Sequence, residues 1–310
     1  AAADVELLLM APDGGLSLNG APVSVDEAQP SAAWFSQDLF ASPGARDFWI
    51  ASLKSHGLKW AQSSAAGYDH PVFADLVRKG AKLTTSHGQA VGMAEYVIAG
   101  VLDHFQRGPA RRASQAEAAW ARHAFREVNG TTWLIIGYGA IGRRVARGGV
   151  PHLLREADGV VLSVPRTAEP RHLVDAGFLA AMKAGSVLVN VGRGGLVDEA
   201  ALLAALEAGK PEHAVLDVFE TEPLPADSPF WRHPRVALTP HAAGISNGAT
   251  ARNEALFIEN LRRFAAGVRR RYAGCSVASP AIGAPPSVIS RHLPRNRMIP
   301  SSTPRMCLAA

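Results

Sequence analysis

The sequence predicts an α/β protein whose sheets are mainly parallel. Short apolar segments alternate with helical segments along most of the 310 residues, which is the order that parallel sheets require. A glycine-rich turn also stands between one of these strands and the start of a helix. The chain is long enough for two domains, and a hydrophobic content of 47% with 19% charged residues is typical of globular proteins.

The N-terminal third predicts four strands and two helices. Apolar segments bounded by Gly, Pro or Asp predict strands over residues 5–10, 32–36, 58–65 and 81–86. The segment 70–80 predicts a helix that ends at Gly80. Apolar residues at helical spacing predict a second helix over 92–108, which is either a core helix or the connection between two domains.

The rest of the chain repeats this alternation. Short apolar segments of the kind that are buried on both faces predict strands over residues 131–137, 159–165, 186–192, 213–219 and 235–240. A helix is predicted over 196–210, with Asp198 as its N-cap and Gly209 just past its last turn. A last helix is predicted over 247–267. Residues 268–310 contain six prolines and no sustained periodicity, so we expect a disordered tail there.

The distribution of charge and cysteine excludes several kinds of function. The net charge is +5, but residues 268–310 hold seven arginines and no acid, which leaves −2 for the rest of the chain. We therefore expect no nucleic-acid partner. Both cysteines, Cys275 and Cys307, lie in this tail, and no HExxH motif is present, so we expect no disulfide and no metal site. No apolar run is long enough to span a membrane or to serve as a signal peptide, and we expect a cytoplasmic protein.

The glycine-rich turn has the pattern of a dinucleotide-binding motif. Gly137, Gly139 and Gly142 form G-x-G-x-x-G directly after a predicted strand. Such glycines allow a tight turn and a close approach to a pyrophosphate, which the N-terminus of the following helix then holds. An ordinary strand–helix turn is the alternative for this motif taken alone.

The segment after the motif is short. Fifteen residues, 143–157, separate Gly142 from Asp158, whereas one βαβ unit takes roughly 30 residues. The acid that holds the ribose hydroxyls normally follows the motif by about 20 residues, at the end of the next strand. Glu156 and Asp158 stand near this spacing but directly before the wrong strand, so we do not assign them to ribose binding. We expect a truncation near residues 146–152.

Three polar residues follow the later predicted strands. Arg193 lies in a glycine-rich turn after one strand, Glu222 in a Pro-rich loop after the next, and His241 directly after the last. Because open parallel sheets bind ligands at the carboxyl ends of their strands, we expect all three near a ligand. Each residue alone also has a structural explanation, as a solvated arginine, a surface acid or a capping histidine. Their joint occurrence after a dinucleotide turn favours a catalytic site.

Four motifs in this order resemble one known family. They are GYGAIG (137–142), VNVGRGGLVDEAAL (189–202), DVFETEP (217–223) and TPHAAG (239–244). Over about residues 5–267 the chain resembles the D-isomer-specific 2-hydroxyacid dehydrogenases, near their hydroxypyruvate/glyoxylate reductase and phosphoglycerate dehydrogenase branches. The resemblance implies a Rossmann dinucleotide-binding domain, residues 102–242, inserted into a flavodoxin-like substrate domain, residues 1–101 and 243–267.

The resemblance also implies an activity, which is hydride transfer between NAD or NADP and a small 2-keto or 2-hydroxy acid. Arg193 is then expected to bind the substrate carboxylate and polarise its keto oxygen. His241 is expected to act as the general acid and base, with Glu222 orienting its ring. The backbone N–H groups of Ala66 and Gly67 are expected to hold the substrate carboxylate. The cofactor-binding residues implied by the resemblance are Gly137, Gly139, Ala140, Ile141, Gly142, Val191, Gly192, Asp217 and Gly244.

Members of this family carry roughly 40 more residues where this chain is short. Those residues form the adenosine side of the cofactor pocket and select NADH or NADPH, so the sequence does not predict which cofactor is used. Without them, Trp133 and Ile135 are expected to leave an apolar sheet edge, and we predict weak NAD(P) binding or none. A catalytically dead remnant and a corepressor-like dinucleotide sensor of the same fold are therefore alternatives. The family also implies a homodimer, with residues 109–130 reaching the partner.

Overall fold

The computed structural model of the chain describes residues 6–11, 13–136, 154–163, 172–267, 275–277 and 305–309. The chain forms two compact units. Among the described residues, the first unit contains those up to Gly92 and those from Gly244 to Val277, and the second contains Met93–Ala243 together with residues 305–309. The domain boundaries predicted at 101/102 and 242/243 stay a prediction. None of the helices in the described ranges has the length and apolar character needed to cross a membrane.

The first unit contains two sheets. Strands β1 to β3 form an antiparallel sheet and are Leu8–Met10, Leu16–Leu18 and Ala21–Val23. The second sheet has three parallel strands, which are β4 (Ala32–Phe35), β5 (Trp60–Ser63) and β6 (Lys82–Thr85). The helices of this unit are α1 (Ala45–Lys54), α2 (Pro71–Arg78) and, numbered in chain order, α7 (Asn247–Ala265).

The second unit is built on one parallel sheet. Its strands in chain order are β7 (Thr132–Ile136), β8 (Gly159–Leu162), β9 (Val187–Asn190), β10 (His213–Leu216) and β11 (Val236–Leu238). Their order in the sheet is β11-β10-β9-β8-β7. The α-helices are α3 (Ala90–Phe105), α4 (Gly108–Ala116), α5 (Ala176–Ala181) and α6 (Glu199–Glu207), of which α3 begins in the first unit.

Strands β8, β9 and β10 are buried along their whole length, as their continuous apolar sequences predict. Alternate residues belong to two cores on opposite faces, for example Leu188 on one face and Val187 and Val189 on the other. Helix α3 approaches the second face so closely that a Cβ on Gly100 would lie 2.8 Å from the side chain of Val215. The fold is therefore the predicted α/β class, with helices packed against a buried parallel sheet.

The first predicted strand has a different role from the one expected. We expected residues 5–10 to join the parallel sheet, but β1 pairs with β2 in an antiparallel hairpin. The next hairpin, between β2 and β3, turns at Asn19 and Gly20, whose φ angles of 51° and 85° are those of a two-residue turn that places both residues at positive φ. An Asn-Gly pair between apolar residues is a hairpin signal, and the sequence analysis missed it.

The expectation of disorder after Gly267 does not hold for two segments. Strand β12 (Cys275–Val277) pairs antiparallel with β6, and strand β13 (Arg305–Ala309) pairs parallel with β7. Each segment lies on an edge strand, whose unpaired N–H and C=O groups can pair with an added strand. The predicted apolar edge at Trp133 and Ile135 is therefore not open, because β13 pairs with this edge of β7.

Candidate active site

The site lies at the carboxyl ends of three adjacent strands. Arg193 follows β9, Asp217 follows β10 and His241 follows β11, and these three strands are neighbours in the parallel sheet. Parallel strands end at the same edge of a sheet, so the topology gathers residues that are up to 48 positions apart in the chain. This edge is where open α/β sheets bind their ligands.

His241 and Glu222 form a close pair. Nδ1 of His241 lies 2.7 Å from Oε2 of Glu222, and the imidazole is about half exposed. The other carboxylate oxygen of Glu222 accepts a hydrogen bond of 2.9 Å from the backbone N–H of Phe219. An ionised carboxylate only accepts hydrogen bonds, so Nδ1 of His241 carries the proton in this contact. Nε2 is then the nitrogen left for a substrate.

The backbone of His241 is fixed by its own turn. Its φ angle is 52°, in the left-handed region, and its N–H donates to the carbonyl oxygens of Asp217, at 2.8 Å, and Thr239, at 3.0 Å. These bonds join the turn after β11 to the end of β10. The ring is therefore presented from a backbone that two neighbouring strands hold.

Asp217 is buried and holds the same turn through its side chain. It is 2% exposed, and its Oδ1 accepts bonds from the hydroxyl of Thr239 at 2.6 Å and from the N–H groups of Ala242 and Ala243 at 2.7 and 2.9 Å. Within the described chain, no hydrogen bond is made to Oδ2. Oδ2 is therefore available to accept a hydrogen bond from a ligand at this edge of the sheet.

Arg193 stands in a tight turn that begins at Asn190. The side-chain amide of Asn190 donates to the carbonyl of Arg193 at 3.0 Å and accepts from the N–H of Gly192 at 3.1 Å. The guanidinium is half-buried and donates to the carbonyl of Gly192 at 2.9 Å. The next residue, Gly194, packs so closely on the following loop that a Cβ there would lie 1.8 Å from the carbonyl carbon of Phe219. This contact brings the Arg193 turn against the loop that carries Glu222.

The other predicted site residues have separate positions. Val191 and Gly192 are buried directly after β9. Ala66, Gly67 and Gly244 belong to the first unit, and neither Ala66 nor Gly67 donates its N–H to another described residue. The remaining predicted cofactor residues lie outside the described part of the chain, and they are Gly137, Gly139, Ala140, Ile141 and Gly142.

Asp158, which we did not assign to ribose binding, has its hydrogen bonds within the fold. It lies at the amino end of β8, where it accepts bonds from Lys183 Nζ at 2.6 Å, from the N–H of Thr132 at 2.8 Å and from Arg126. Burial alone would raise the pKa of this carboxyl, but the bonds from Lys183 and Thr132 and the two cationic charges outweigh it and lower the pKa. Glu156 is exposed.

Asn190 and Thr239 are residues that the sequence analysis missed. Each orders a turn that carries a predicted catalytic residue. For Asn190 a signal was available, because Asn at a strand end readily accepts a bond from the N–H two residues on. Thr239 contributes through a contact with Asp217, 22 residues earlier, which no local pattern encodes.

Comparison with known proteins identifies the family to which this chain is similar. A family model described as D-isomer specific 2-hydroxyacid dehydrogenase, NAD binding domain, matches residues 148–243. (S)-sulfolactate dehydrogenase of Chromohalobacter salexigens is 37% identical over 61% of this chain and 71% of that protein. Glyoxylate/hydroxypyruvate reductase A of Citrobacter koseri is 32% identical over 65% of this chain and 76% of that protein.

A solved structure is also similar to this chain. It is a D-isomer specific 2-hydroxyacid dehydrogenase from Xanthobacter autotrophicus Py2 in complex with NADPH and MES. The two chains are 29% identical, with a TM-score of 0.65, and the match covers 89% of this chain and 91% of that one.

The alignments also concern the short segment after the glycine motif. The match to the sulfolactate dehydrogenase spans 221 positions, whereas 61% of 310 residues is about 189, so about 30 positions of that relative have no counterpart here. The family-model match begins at residue 148, after Gly142. Neither observation locates the unmatched positions, so the truncation near residues 146–152 stays a prediction.

The fold, the residues at the ends of β9, β10 and β11, and these matches lead to one assignment. The chain belongs to the D-isomer specific 2-hydroxyacid dehydrogenase family, whose members are NAD(P)-dependent oxidoreductases that transfer a hydride to or from small 2-keto and 2-hydroxy acids.

Proposed function

We propose that this chain reduces glyoxylate, hydroxypyruvate or a similarly small 2-keto acid with NADH or NADPH. In the reverse direction it oxidises the corresponding 2-hydroxy acid. The observation that carries this proposal is the 2.7 Å contact between His241 and Glu222. It lies at the edge of the sheet where Arg193 follows β9 and Asp217 follows β10. The similarity to (S)-sulfolactate dehydrogenase and to glyoxylate/hydroxypyruvate reductase A supports a small 2-hydroxy or 2-keto acid as the substrate.

Arg193 binds the substrate in this proposal. Its guanidinium is planar and permanently charged, so it pairs with the carboxylate of a 2-keto acid and draws electron density from the neighbouring keto oxygen. The N–H groups of Ala66 and Gly67 have no acceptor within the described chain, and we propose them as donors to a substrate carboxylate on the family resemblance alone.

His241 and Glu222 transfer the proton. Glu222 accepts from Nδ1 and orients the ring, and Nε2–H of the protonated imidazole donates its proton to the keto oxygen as that oxygen becomes an alcohol. In the oxidation direction, neutral Nε2 accepts the alcohol proton. The nicotinamide ring supplies or accepts the hydride when the cofactor is bound. Asp217 is proposed to accept from its carboxamide through Oδ2, beside Val191 and Gly192.

Loss of the catalytic side chains tests the mechanism. We expect His241→Ala to lower kcat for glyoxylate or hydroxypyruvate reduction by about 10² to 10⁴, since a positioned general acid contributes about that factor. We expect Arg193→Ala to raise KM and lower kcat together. The measurement is the initial rate of NADH and NADPH oxidation, with the exposed residues His56 and Arg155 replaced by Ala as matched controls. Full activity in both His241→Ala and Arg193→Ala would contradict the mechanism.

Cofactor affinity is a separate expectation. Because the chain is short on the adenosine side, we expect NADH and NADPH to bind weakly or not at all. Isothermal titration of the full chain measures this directly, and a micromolar dissociation constant for either cofactor would contradict it. An active enzyme with weak binding would have normal rates only at high cofactor concentration.

We further propose that the chain forms a homodimer in the cytoplasm. After α4 the segment 117–128 has no helix or strand, and it exposes Trp120 to 96% and Phe125 to 50%. Large exposed apolar side chains of this kind favour a protein partner. Sedimentation analysis of the chain and of Trp120→Ser tests the dimer, and cell fractionation tests the location.

A further inference from the structure

Two glutamates connect the Arg193 turn with the Glu222 loop. Glu199 is the first residue of α6, which follows the Arg193 turn, and Glu220 lies two residues before Glu222. The backbone N–H of Glu199 donates to Oε1 of Glu220 at 3.2 Å, and the backbone N–H of Glu220 donates to Oε1 of Glu199 at 2.6 Å. The two residues therefore hold each other's backbones through reciprocal side-chain acceptors.

His172 joins the same pair from a third segment. Its Nε2 lies 3.1 Å from Oε1 of Glu220, and its backbone N–H donates to the carbonyl of Gly195 at 3.0 Å. Its Nδ1 lies 3.8 Å from a carboxylate oxygen of Asp198, the N-cap of α6. His172 therefore contacts both the turn that carries Arg193 and the loop that carries Glu222.

The carboxylates of Glu199, Glu220 and Glu222 lie close enough to affect one another electrostatically. Burial raises the pKa of Glu199, and the neighbouring carboxylates of Glu220 and Glu222 raise it further, against the opposing effects of the Glu220 N–H and of His172. Three carboxylates that stand close together repel one another. Backbone donors and an adjacent imidazole offset part of that repulsion.

We propose that Glu220 and His172 are positioning residues for hydride transfer, because they fix the loop 219–222 against the Arg193 turn so that Glu222 reaches Nδ1 of His241. Neither residue is proposed to touch the substrate or the cofactor. Glu222 also accepts a hydrogen bond from the backbone N–H of Phe219, the residue next to Glu220. A change at Glu220 therefore acts on the same short loop that carries Glu222. The catalytic part of this inference rests on the proposed function. The effect of Glu220 and His172 on His241 can be tested without measuring activity.

The direct test is the tautomer of His241, read from its ring ¹⁵N shifts by NMR on the full chain at mildly alkaline pH. We expect the Nδ1–H tautomer in the natural sequence and a shift towards Nε2–H in Glu222→Ala, because the acceptor for Nδ1–H is gone. Glu220→Ala is expected to shift the tautomer in the same direction, and Glu220→Gln, which keeps an acceptor for the Glu199 N–H, to restore it.

A matched control separates this effect from a general loss of charge. Glu207 is an exposed carboxylate at the other end of α6, paired with His233 at 3.3 Å, and Glu207→Ala should leave the His241 spectrum unchanged. An unchanged His241 tautomer in a folded Glu220→Ala protein would overturn the proposal. If Glu220→Ala does not fold, His172→Asn is measured instead, because Asn tolerates the φ of 70° at this position. An unchanged His241 tautomer in folded His172→Asn would then overturn the proposal.

Kinetics distinguish failure of this inference from failure of the proposed function. With an active enzyme, Glu220→Ala should lower kcat by about tenfold, whereas Glu220→Gln should stay near the original rate. If the natural sequence has no activity but Glu220→Ala still shifts the His241 tautomer, the proposed function is rejected and the positioning of Glu222 by Glu220 is retained.

Discussion

The imidazole of His213 is buried at the start of β10. It is 8% exposed, and its ring stacks on that of His104 with centroids 4.3 Å apart. Burial lowers the pKa of His213 to about 4, and the charge of His104 acts in the same direction. The folded protein therefore keeps this ring neutral at pH values where an exposed histidine is already protonated.

We predict that stability falls as the pH drops from 6.5 to 4. In this interval the unfolded chain binds a proton at His213 and the folded chain does not, so protonation favours unfolding. The shift corresponds to about 3 kcal/mol, present in full above pH 6.5. Denaturant titrations at several pH values measure it. His213→Gln should lose less stability over this interval than the exposed-residue control His56→Gln, and equal losses would contradict the assignment.

A second residue-scale prediction concerns Asp158 and its bonds to Lys183 and Arg126. Removing the charge in Asp158→Asn leaves two cations without their carboxylate, and we expect a loss of about 1–3 kcal/mol in the free energy of unfolding. The matched control is Asp26→Asn, because Asp26 pairs with Lys54 at the surface, where both side chains are more than half exposed. Such pairs contribute about 0–1 kcal/mol. Similar losses in the two variants would argue against a special role for Asp158.

At the scale of elements, the turn between β9 and α6 depends on one glycine. Gly194 and Gly195 are adjacent and neither has a positive φ, but only Gly194 meets backbone atoms of Phe219 and Glu220 within 2.5 Å of an added Cβ. We predict that Gly194→Ala displaces the turn, lowers the melting temperature and strongly reduces activity. Gly195→Ala, where nothing lies within 4 Å, is the control. Equal behaviour of the two variants in thermal melts would contradict this explanation.

The regular elements near the site could be predicted from sequence because their signals are local. Five apolar segments correctly predicted the strands β7 to β11. Asp198 caps α6 as predicted, by accepting from the N–H of Ala201 at 2.9 Å. Helix α1 (ARDFWIASLK) was missed, because Gly44 at its N-cap makes no side-chain capping bond and so gives no polar start signal. The reciprocal bonds of Glu199 and Glu220 could not be predicted, since they join residues 21 positions apart through a contact that only the folded loops create.

At the scale of the whole molecule, the sheet of the second unit depends on strand β13. Its backbone pairs with β7 over five residues, from Arg305 opposite Thr132 to Ala309 opposite Ile136. The sequence predicted an open edge here because the segment that forms this flank in the family is short in this chain, while composition indicated disorder for residues 268–310. Composition reports whether a segment can form its own core, but not whether an existing strand offers it a pairing partner.

We predict that breaking this pairing exposes β7. Replacing Met306 and Leu308 together by Pro removes two N–H donors and the extended ladder, so the amides of β7 should exchange with deuterium faster. Hydrogen-exchange mass spectrometry measures this on the full chain, and peptides from β10, in the interior of the same sheet, serve as the internal reference. Unchanged exchange in β7 would show that β13 does not protect it in solution.

The pairing of β13 with β7 also has a consequence during synthesis. The ribosome makes β7 about 170 residues before β13, so the nascent second unit carries an unprotected edge while everything between them is translated. Contacts across such long sequence separations form late and slow folding. Over that interval the edge of β7 is open to misassembly with other chains.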